Sequence, residues 1–155
     1  MAETGQPSKH PILPPIYFFG AIALMAALDR FLPLIILIEP PITYLGWVVF
    51  ALAFAAVLAV NWQFKRAGTT IKPFERSSAL VTGGLFAFSR NPIYVSMVAA
   101  LLGIFVALGS LTPLVIIPPF IYIIRTRFIA AEERMLEDAF GEAYRAYMNR
   151  VRRWL

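Results

Sequence analysis

The chain has 155 residues, of which 59% are hydrophobic and 15% are charged. Soluble domains average about 45–50% apolar and 25% charged residues, and a chain of this length cannot bury such an excess of apolar surface in a soluble core. The composition therefore excludes an ordinary soluble enzyme. It predicts a single all-α integral membrane domain over residues 1–155, with the lipid bilayer as its partner.

Several classes of site are excluded by residues that the chain lacks. It has no cysteine, which excludes disulfides, thiolate nucleophiles and iron–sulfur clusters. Its one histidine, His10, lies in a polar segment at residues 1–11 that is expected to be a flexible tail, so we expect no metal site. The net charge is +5, but the basic residues stand beside apolar runs rather than among aromatic ones, so nucleic acid is not an expected partner.

The first predicted transmembrane helix covers residues 12–28, which are apolar and uncharged. Pro14-Pro15 suits the first turn of a helix, and Asp29 and Arg30 are expected to end it. Residues 31–38 are too few to span a bilayer and are expected at its surface. The alternative is one long helix that continues to the end of that segment.

A second transmembrane helix is predicted at residues 43–64, so that residues 12–64 contain two N-terminal spans. Trp47 and Trp62 stand near its two ends, where aromatic belts lie in membrane proteins. Residues 65–90 are basic and contain glycine and proline, which predicts a folded loop over one membrane face.

Two further helices are predicted to form a tight hairpin, which brings the expected number of spans to about four. Pro92 opens the third, at residues 93–108, and Thr112-Pro113 starts the fourth almost at once. In this arrangement, 13 of the 14 Lys and Arg residues fall on one side, with Arg30 alone on the other. The positive-inside rule then predicts a multi-pass protein with both termini and the polar loop in the cytoplasm.

A C-terminal amphipathic cytoplasmic helix is predicted at residues 129–151. Its charged face carries Arg134, Asp138, Glu142 and Arg145, and its apolar stripe is formed by Ile129, Leu136, Phe140, Ala143, Tyr144, Tyr147 and Val151. Glu132 and Glu133 fall inside the apolar stripe, and buried carboxylates need partners. Two interpretations remain open: the pair binds arginines such as Arg90 or Arg125, or it holds a polar or cationic ligand.

Other singled-out residues also have structural interpretations. Arg90 is as well placed to anchor a helix at the headgroups as to contact a substrate. The run Arg150-Val-Arg-Arg153 is typical of a membrane-surface contact, although it also suits an anionic headgroup. Gly83-Gly84 predicts a turn rather than a phosphate-binding loop.

Four stretches of the chain, over roughly residues 65–153, resemble the superfamily of isoprenylcysteine carboxyl methyltransferases and phospholipid methyltransferases. The stretches are Ala67-Gly-Thr-Thr-Ile-Lys-Pro73, Leu80-Val-Thr-Gly-Gly-Leu-Phe86, Ser89-Arg-Asn-Pro-Ile-Tyr94, and Glu132-Glu133 with Phe140-Gly-Glu-Ala-Tyr144. The resemblance implies a small membrane methyltransferase that uses S-adenosylmethionine. Residues 65–155 would be its cofactor-binding half.

The resemblance also implies roles for individual residues. We expect Arg90 and Glu133 to be catalytic, and the cofactor-binding residues to be Asn91, Pro92, Tyr94, Glu132, Glu133 and Tyr144. Arg90, Tyr147, Arg150 and Arg153 are expected to contact the substrate. The chain departs from the family pattern at Asn91, where histidine is usual, and at Ser96, where glycine is common. Asparagine cannot titrate, which puts in doubt any mechanism that needs an imidazole base at this position.

The expected methyl acceptor is an amphiphilic molecule at the membrane, namely an isoprenylcysteine carboxylate, a phospholipid amine or a small thiol. Two alternative functions remain open at this point. Sterol reductases carry a similar Arg-His-Pro-x-Tyr stretch and use NADPH, although this chain is short for that class. The other alternative is a non-catalytic membrane protein whose C-terminal helix binds a partner.

Overall fold

The computed structural model describes residues 13–68 and 79–155, and within these ranges it contains helices and no strands. The helices are Pro14–Phe31 (α1), Thr43–Arg66 (α2), Pro92–Leu108 (α3), Ile117–Ile123 (α4), Ala130–Phe140 (α5) and Glu142–Arg150 (α6). Short 3₁₀ turns cover Gly84–Ala87 and Thr112–Ile116, and a π-helical turn, Ile124–Ile129, joins α4 to α5. The all-helical class is thus confirmed. The predicted tail with His10 and the motif residues 69–73 lie outside the described ranges.

The first helix is longer at its C-terminal end than predicted. Asp29 and Arg30 belong to the last turn of α1, where a cation is favourable beside the free carbonyl groups. The hydroxyl of Ser110 donates a hydrogen bond of 2.5 Å to the Asp29 carboxylate. Residues 32–38 are then not helical, so the alternative of one long helix is wrong. They are held instead by backbone bonds to the turn after α3, including 2.8 Å from Leu37 N–H to the Gly109 carbonyl.

The second and third helices agree with the predicted bounds to within two residues. Gly109 ends α3 in the left-handed conformation, with φ of +82°, which glycine adopts without steric cost. The buried residues of α2 are Gly46, Ala53 and Val60, which lie seven apart and form one seam. At this seam α2 meets α3 almost backbone to backbone, because a Cβ atom on Gly103 would lie 2.7 Å from the Gly46 carbonyl oxygen.

The outward face of α2 consists of large apolar side chains. Leu45, Val48, Leu52, Leu58 and Trp62 are each more than 50% exposed. In the described part of the chain, α2 and the continuous helical stretch Thr112–Phe140 are long and apolar enough to cross a membrane. Such a surface is stable in lipid rather than in water, which indicates a membrane protein.

Two apolar clusters lie on either side of the start of α3. The larger cluster joins α1, α3, α4 and the π turn, and its fully buried members include Met25, Leu101, Ile124 and Ile129. The smaller cluster joins the end of α2, the loop before α3 and α6 through Val60, Phe86, Tyr144 and Tyr147. The first turn of α3 contacts both, since Tyr94 belongs to the larger cluster and Ile93 packs on the smaller one.

The predicted single helix at residues 129–151 is wrong in one respect, because the structure divides it at Gly141. This residue has a φ of +49°, a conformation that side chains with a Cβ atom disfavour, and it separates α5 from α6. Tyr144 and Tyr147 are buried as predicted, whereas Ala143 is exposed because the break changes the direction of the helix. The predicted charged face is exposed at Arg134, Asp138, Glu142 and Arg145.

Candidate functional site

The candidate site lies where the loop before α3, the start of α3, the start of α5 and the C-terminal segment, residues 151–155, come together. Asn91 immediately precedes α3, and Pro92 is its first residue, where the missing N–H costs nothing. The Asn91 N–H donates a 3.1 Å hydrogen bond to Oγ of Ser89. Both polar side chains are buried, with 7% and 2% exposure respectively. The loop therefore enters α3 in a fixed conformation.

Tyr94 and Glu132 form the first polar contact of the site. The Tyr94 hydroxyl donates a 2.6 Å hydrogen bond to Oε1 of Glu132, which lies in the first turn of α5. Tyr94 is only 6% exposed, so the contact is shielded from water. A hydrogen bond between two largely buried side chains spares both the free-energy cost of an unsatisfied polar group.

Glu133 forms the second contact, with two arginines. Arg153 donates from Nε to Oε1 at 3.0 Å and from Nη2 to Oε2 at 2.5 Å, which is a bidentate arrangement. Nη2 of Arg90 lies 3.4 Å from Oε1 of the same carboxylate. The side chains of Arg90 and Glu133 are 11% and 12% exposed, and that of Arg153 is 38% exposed. Two guanidinium groups thus share one carboxylate, so these three side chains together have a net positive charge.

The C-terminal segment is fixed to the loop by its backbone. The Arg90 N–H donates to the Arg152 carbonyl at 2.9 Å, and Nδ2 of Asn91 donates to the Arg153 carbonyl at 2.9 Å. The Ser89 hydroxyl donates to the same carbonyl at 3.4 Å. Trp154 packs against the larger apolar cluster. The amide of Asn91 therefore holds the C-terminal segment in place.

The two tyrosines of α6 close one side of the site. Their rings are 6.1 Å apart, and the Tyr147 hydroxyl donates a 2.6 Å hydrogen bond to the Phe86 carbonyl. Burial raises the pKa of Tyr144 to about 12; the charge of Glu133 adds to this effect and the Arg90 guanidinium opposes it. Burial also raises the pKa of Tyr147 to about 12. Both phenols are therefore neutral at physiological pH.

The π turn Ile124–Ile129 directly precedes the two carboxylates. A π turn contains more residues than an α-helical turn, so it changes the direction in which later side chains point, and such turns are frequent at functional sites. The Thr126 hydroxyl donates a 2.8 Å hydrogen bond to the Tyr122 carbonyl within this stretch. The local backbone thus helps to set the orientation of Glu132 and Glu133 toward α3.

Arg90 has buried hydrogen-bond donors that are not used. Its Nε and Nη1 atoms are inaccessible to solvent and have no hydrogen-bond partner in the structure. An unsatisfied buried donor next to an ion pair is unfavourable, and a carboxylate or phosphate oxygen would satisfy it. Within residues 13–68 and 79–155, no group of three or more His, Cys, Asp or Glu side chains is arranged to hold a metal ion.

Most residues singled out from the sequence lie in this cluster. The structure brings together Arg90, Asn91, Pro92, Tyr94, Glu132, Glu133, Tyr144 and Arg153. Tyr147 lies beside them but directs its hydroxyl to Phe86, and Arg150 is exposed on α6 and makes none of the contacts described above. Arginines partner Glu133, as one interpretation predicted, but Arg125 is exposed and is not one of them.

Sequence reasoning missed Ser89 and the Phe86 carbonyl. Ser89 bonds to its neighbour Asn91 and to the distant Arg153, and the Phe86 carbonyl accepts from the distant Tyr147. No pattern in the sequence indicates that the last five residues pass across the loop before α3. The nearest available signal is the position of Ser89 directly before Arg90.

Comparison with known proteins assigns the chain to a family. An uncharacterized protein of Haemophilus influenzae is 40% identical over 63 residues, which are 41% of this chain and all of that relative. No solved structure matches the chain significantly. Residues 41–143, about two thirds of the chain, match the phospholipid methyltransferase family, and this match gives no support to the reductase alternative. The chain therefore belongs to the phospholipid methyltransferase family of membrane proteins.

Proposed function

We propose that this protein transfers a methyl group from S-adenosylmethionine to an amphiphilic acceptor held at the membrane. Family membership supports methyl transfer, and the buried cluster of Arg90, Tyr94, Glu132 and Glu133 is the observation that supports a site for the methyl donor. The positive-inside rule supports a multi-pass arrangement with both termini and this site on the cytoplasmic side.

The chemistry of the site fits the proposed donor. The two arginines beside Glu133 give the site a net positive charge, which suits the carboxylate that the methionine part of the donor carries. The oxygens of Glu132 and Glu133 suit ribose hydroxyl groups and an ammonium group. The aromatic faces of Tyr94 and Tyr144 suit a sulfonium cation. Bound S-adenosylmethionine would supply an activated methyl group.

The residues of the chain would act mainly by positioning. Methyl transfer is an in-line displacement, in which holding the acceptor atom in line supplies much of the rate. Asn91 uses its amide on the Arg153 carbonyl, and Tyr144 stays protonated at neutral pH, so neither is a general base there. We therefore propose that the acceptor arrives as a carboxylate, a thiolate or a neutral amine, and that the buried site excludes water.

The acceptor is proposed to approach from the bilayer. Large apolar side chains cover the outside of the helices, and an amphiphile partitions next to them. An isoprenylcysteine, an aminophospholipid and a small hydrophobic thiol share this property. Incubation of the purified protein with methyl-labelled S-adenosylmethionine and a total membrane lipid extract would identify the class, because labelled product partitions into the organic phase and can be separated.

Binding of S-adenosylhomocysteine, measured by calorimetry in detergent, tests the proposal directly. We expect binding by the wild type and weaker binding by Glu132→Gln, which replaces one of the two carboxylate oxygens at the Tyr94 contact with an amide NH₂ group. Glu137→Gln is the matched control, since Glu137 lies on the same helix and pairs with the exposed Arg145. Absence of binding at millimolar concentration by a folded protein would disprove the proposed function.

A further inference from the structure

The side chain of Arg153 occupies both oxygens of Glu133. Nε of Arg153 bonds to Oε1 at 3.0 Å, and Nη2 bonds to Oε2 at 2.5 Å. Arg90 approaches Oε1 as well, at 3.4 Å. The lone pairs of Glu133 that face Arg153 are therefore not available to a cationic group from outside while Arg153 stays where it is.

The two arginines differ in how easily their side chains can move away from Glu133. The Arg90 side chain is only 11% exposed, whereas the Arg153 side chain is 38% exposed. The backbone of the C-terminal segment is held by the bonds from Arg90 N–H and from the Asn91 and Ser89 side chains, none of which involves the Arg153 guanidinium. The guanidinium can turn into solvent while the segment remains in place.

We propose that Arg153 is an internal counter-ion that occupies Glu133 in the ligand-free site and is displaced by the cationic amino-acid end of the methyl donor. The inference rests on the proposed function, because it concerns the ligand proposed there. The Arg153 guanidinium is already 38% exposed, and a ligand that brings its own ammonium group keeps Glu133 paired, so the exchange leaves no buried charge uncompensated. In this arrangement the C-terminal segment is part of the binding site.

A permanent clamp is the competing interpretation. In that case Arg153 stays on Glu133 and orients it while the ligand binds elsewhere. The two interpretations predict opposite signs for the removal of the guanidinium, because loss of a competitor strengthens binding of the ligand and loss of a clamp weakens it.

The test compares the wild type with Arg153→Gln in the full-length protein. Calorimetry would measure binding of S-adenosylhomocysteine, which has the ammonium and carboxylate groups, and of 5′-methylthioadenosine, which lacks both. We expect Arg153→Gln to bind S-adenosylhomocysteine roughly three to five times more tightly, the change that follows from loss of a competing half-exposed ion pair. Binding of 5′-methylthioadenosine is expected to change by less than about twofold.

Arg152→Gln is the matched control, since Arg152 is the exposed neighbour and only its carbonyl contacts the loop. It should bind both ligands as the wild type does. Arg153→Lys keeps the charge but loses the bidentate contact, so it should increase the affinity for S-adenosylhomocysteine by a smaller factor. This variant provides the same test if Arg153→Gln does not fold. Equal or weaker binding of S-adenosylhomocysteine by these Arg153 variants would overturn the inference. Failure of the wild type and every variant to bind would instead remove the proposed function on which it rests.

Discussion

The Tyr94 hydroxyl donates a 2.6 Å hydrogen bond to Oε1 of Glu132, and this contact joins the first turn of α3 to the first turn of α5. Thirty-eight residues separate the two in sequence. The bond therefore links the two halves of the candidate site, and its removal is the most direct test of how they depend on each other.

Tyr94→Phe should destabilise the protein and weaken binding of S-adenosylhomocysteine. The change leaves a buried carboxylate oxygen without its donor, which typically costs about 1–3 kcal/mol. Thermal unfolding in detergent and calorimetry would measure the two effects. Tyr122→Phe is the control, because Tyr122 is 69% exposed on α4. Equal unfolding temperatures for the two variants would contradict a structural role for the bond.

Glu133→Gln should be among the most destabilising changes in the site. It leaves the Arg90 guanidinium, 11% exposed, without its carboxylate partner, and removal of one member of a buried ion pair costs about 3–5 kcal/mol. The same change at Glu137 breaks only an exposed pair with Arg145 and should cost about 0–1 kcal/mol. Denaturant unfolding in mixed micelles would measure the free energy of unfolding of both variants. Comparable losses of stability would show that Glu133 does not stabilise the buried Arg90 guanidinium.

Asn91→Ala should release the C-terminal segment. It removes the 2.9 Å hydrogen bond to the Arg153 carbonyl, and Ser89, at 3.4 Å, is then the remaining side-chain donor to that carbonyl. We expect faster hydrogen exchange at residues 151–155. Asn149→Ala, at an exposed position on α6, should leave these exchange rates unchanged. Unchanged rates in Asn91→Ala would show that the segment is held by other contacts.

Gly103→Val should prevent close packing of α2 and α3. Its Cβ atom would lie 2.7 Å from the Gly46 carbonyl oxygen and 2.8 Å from the Phe50 nitrogen, so the helices must separate. We expect a large loss of stability, of about 3 kcal/mol or more, from overpacking and the loss of adjacent contacts. Gly20→Ala is the control, since nothing lies within 4 Å of that position, and alanine there should be neutral or stabilising. Wild-type stability of Gly103→Val would mean that the helices do not cross there.

The two tyrosines of α6 should make the protein sensitive to alkali. Burial raises the pKa of Tyr147 from its ordinary value of 10 to about 12, so the folded form holds this proton more tightly than the unfolded form. The resulting stabilisation is present below pH 10 and is lost as the pH rises toward 12. Tyr147→Phe should reduce the steepness of this loss, measured by denaturant unfolding at a series of pH values. Tyr44→Phe, at an exposed position, should not.

The parts of the fold that sequence reasoning predicted well are governed by local patterns. Pro92 at the first turn and Gly109 after the last turn mark the bounds of α3, and a long apolar run marks those of α2. The orientation of Glu132 toward the packed side follows from helical periodicity, which needs no knowledge of the partner. These signals all lie within one helix.

The remaining parts depend on contacts between distant segments. A glycine at position 141 does not by itself predict a break in the helix. The break is seen only in the folded chain, where Gly141 has a positive φ and Tyr144 and Tyr147 pack on Phe86 and Val60. The pairing of Arg153 with Glu133 depends on where residues 151–155 pass in three dimensions. Periodicity carries no information about either contact, so the sequence indicated the site residues without their partners.

The backbone contact between Gly46 and Gly103 has a mechanical consequence. Helices whose backbones approach this closely have little room to slide or rotate against each other, because a shift would bring side chains into the contact. α2 and α3 therefore move as one rigid body, and Tyr94 moves with them. Any adjustment to an incoming ligand falls to α5 and to the Arg153 guanidinium, which are joined to the rest of the site by side-chain contacts, so one wall of the site is fixed and the other can adapt.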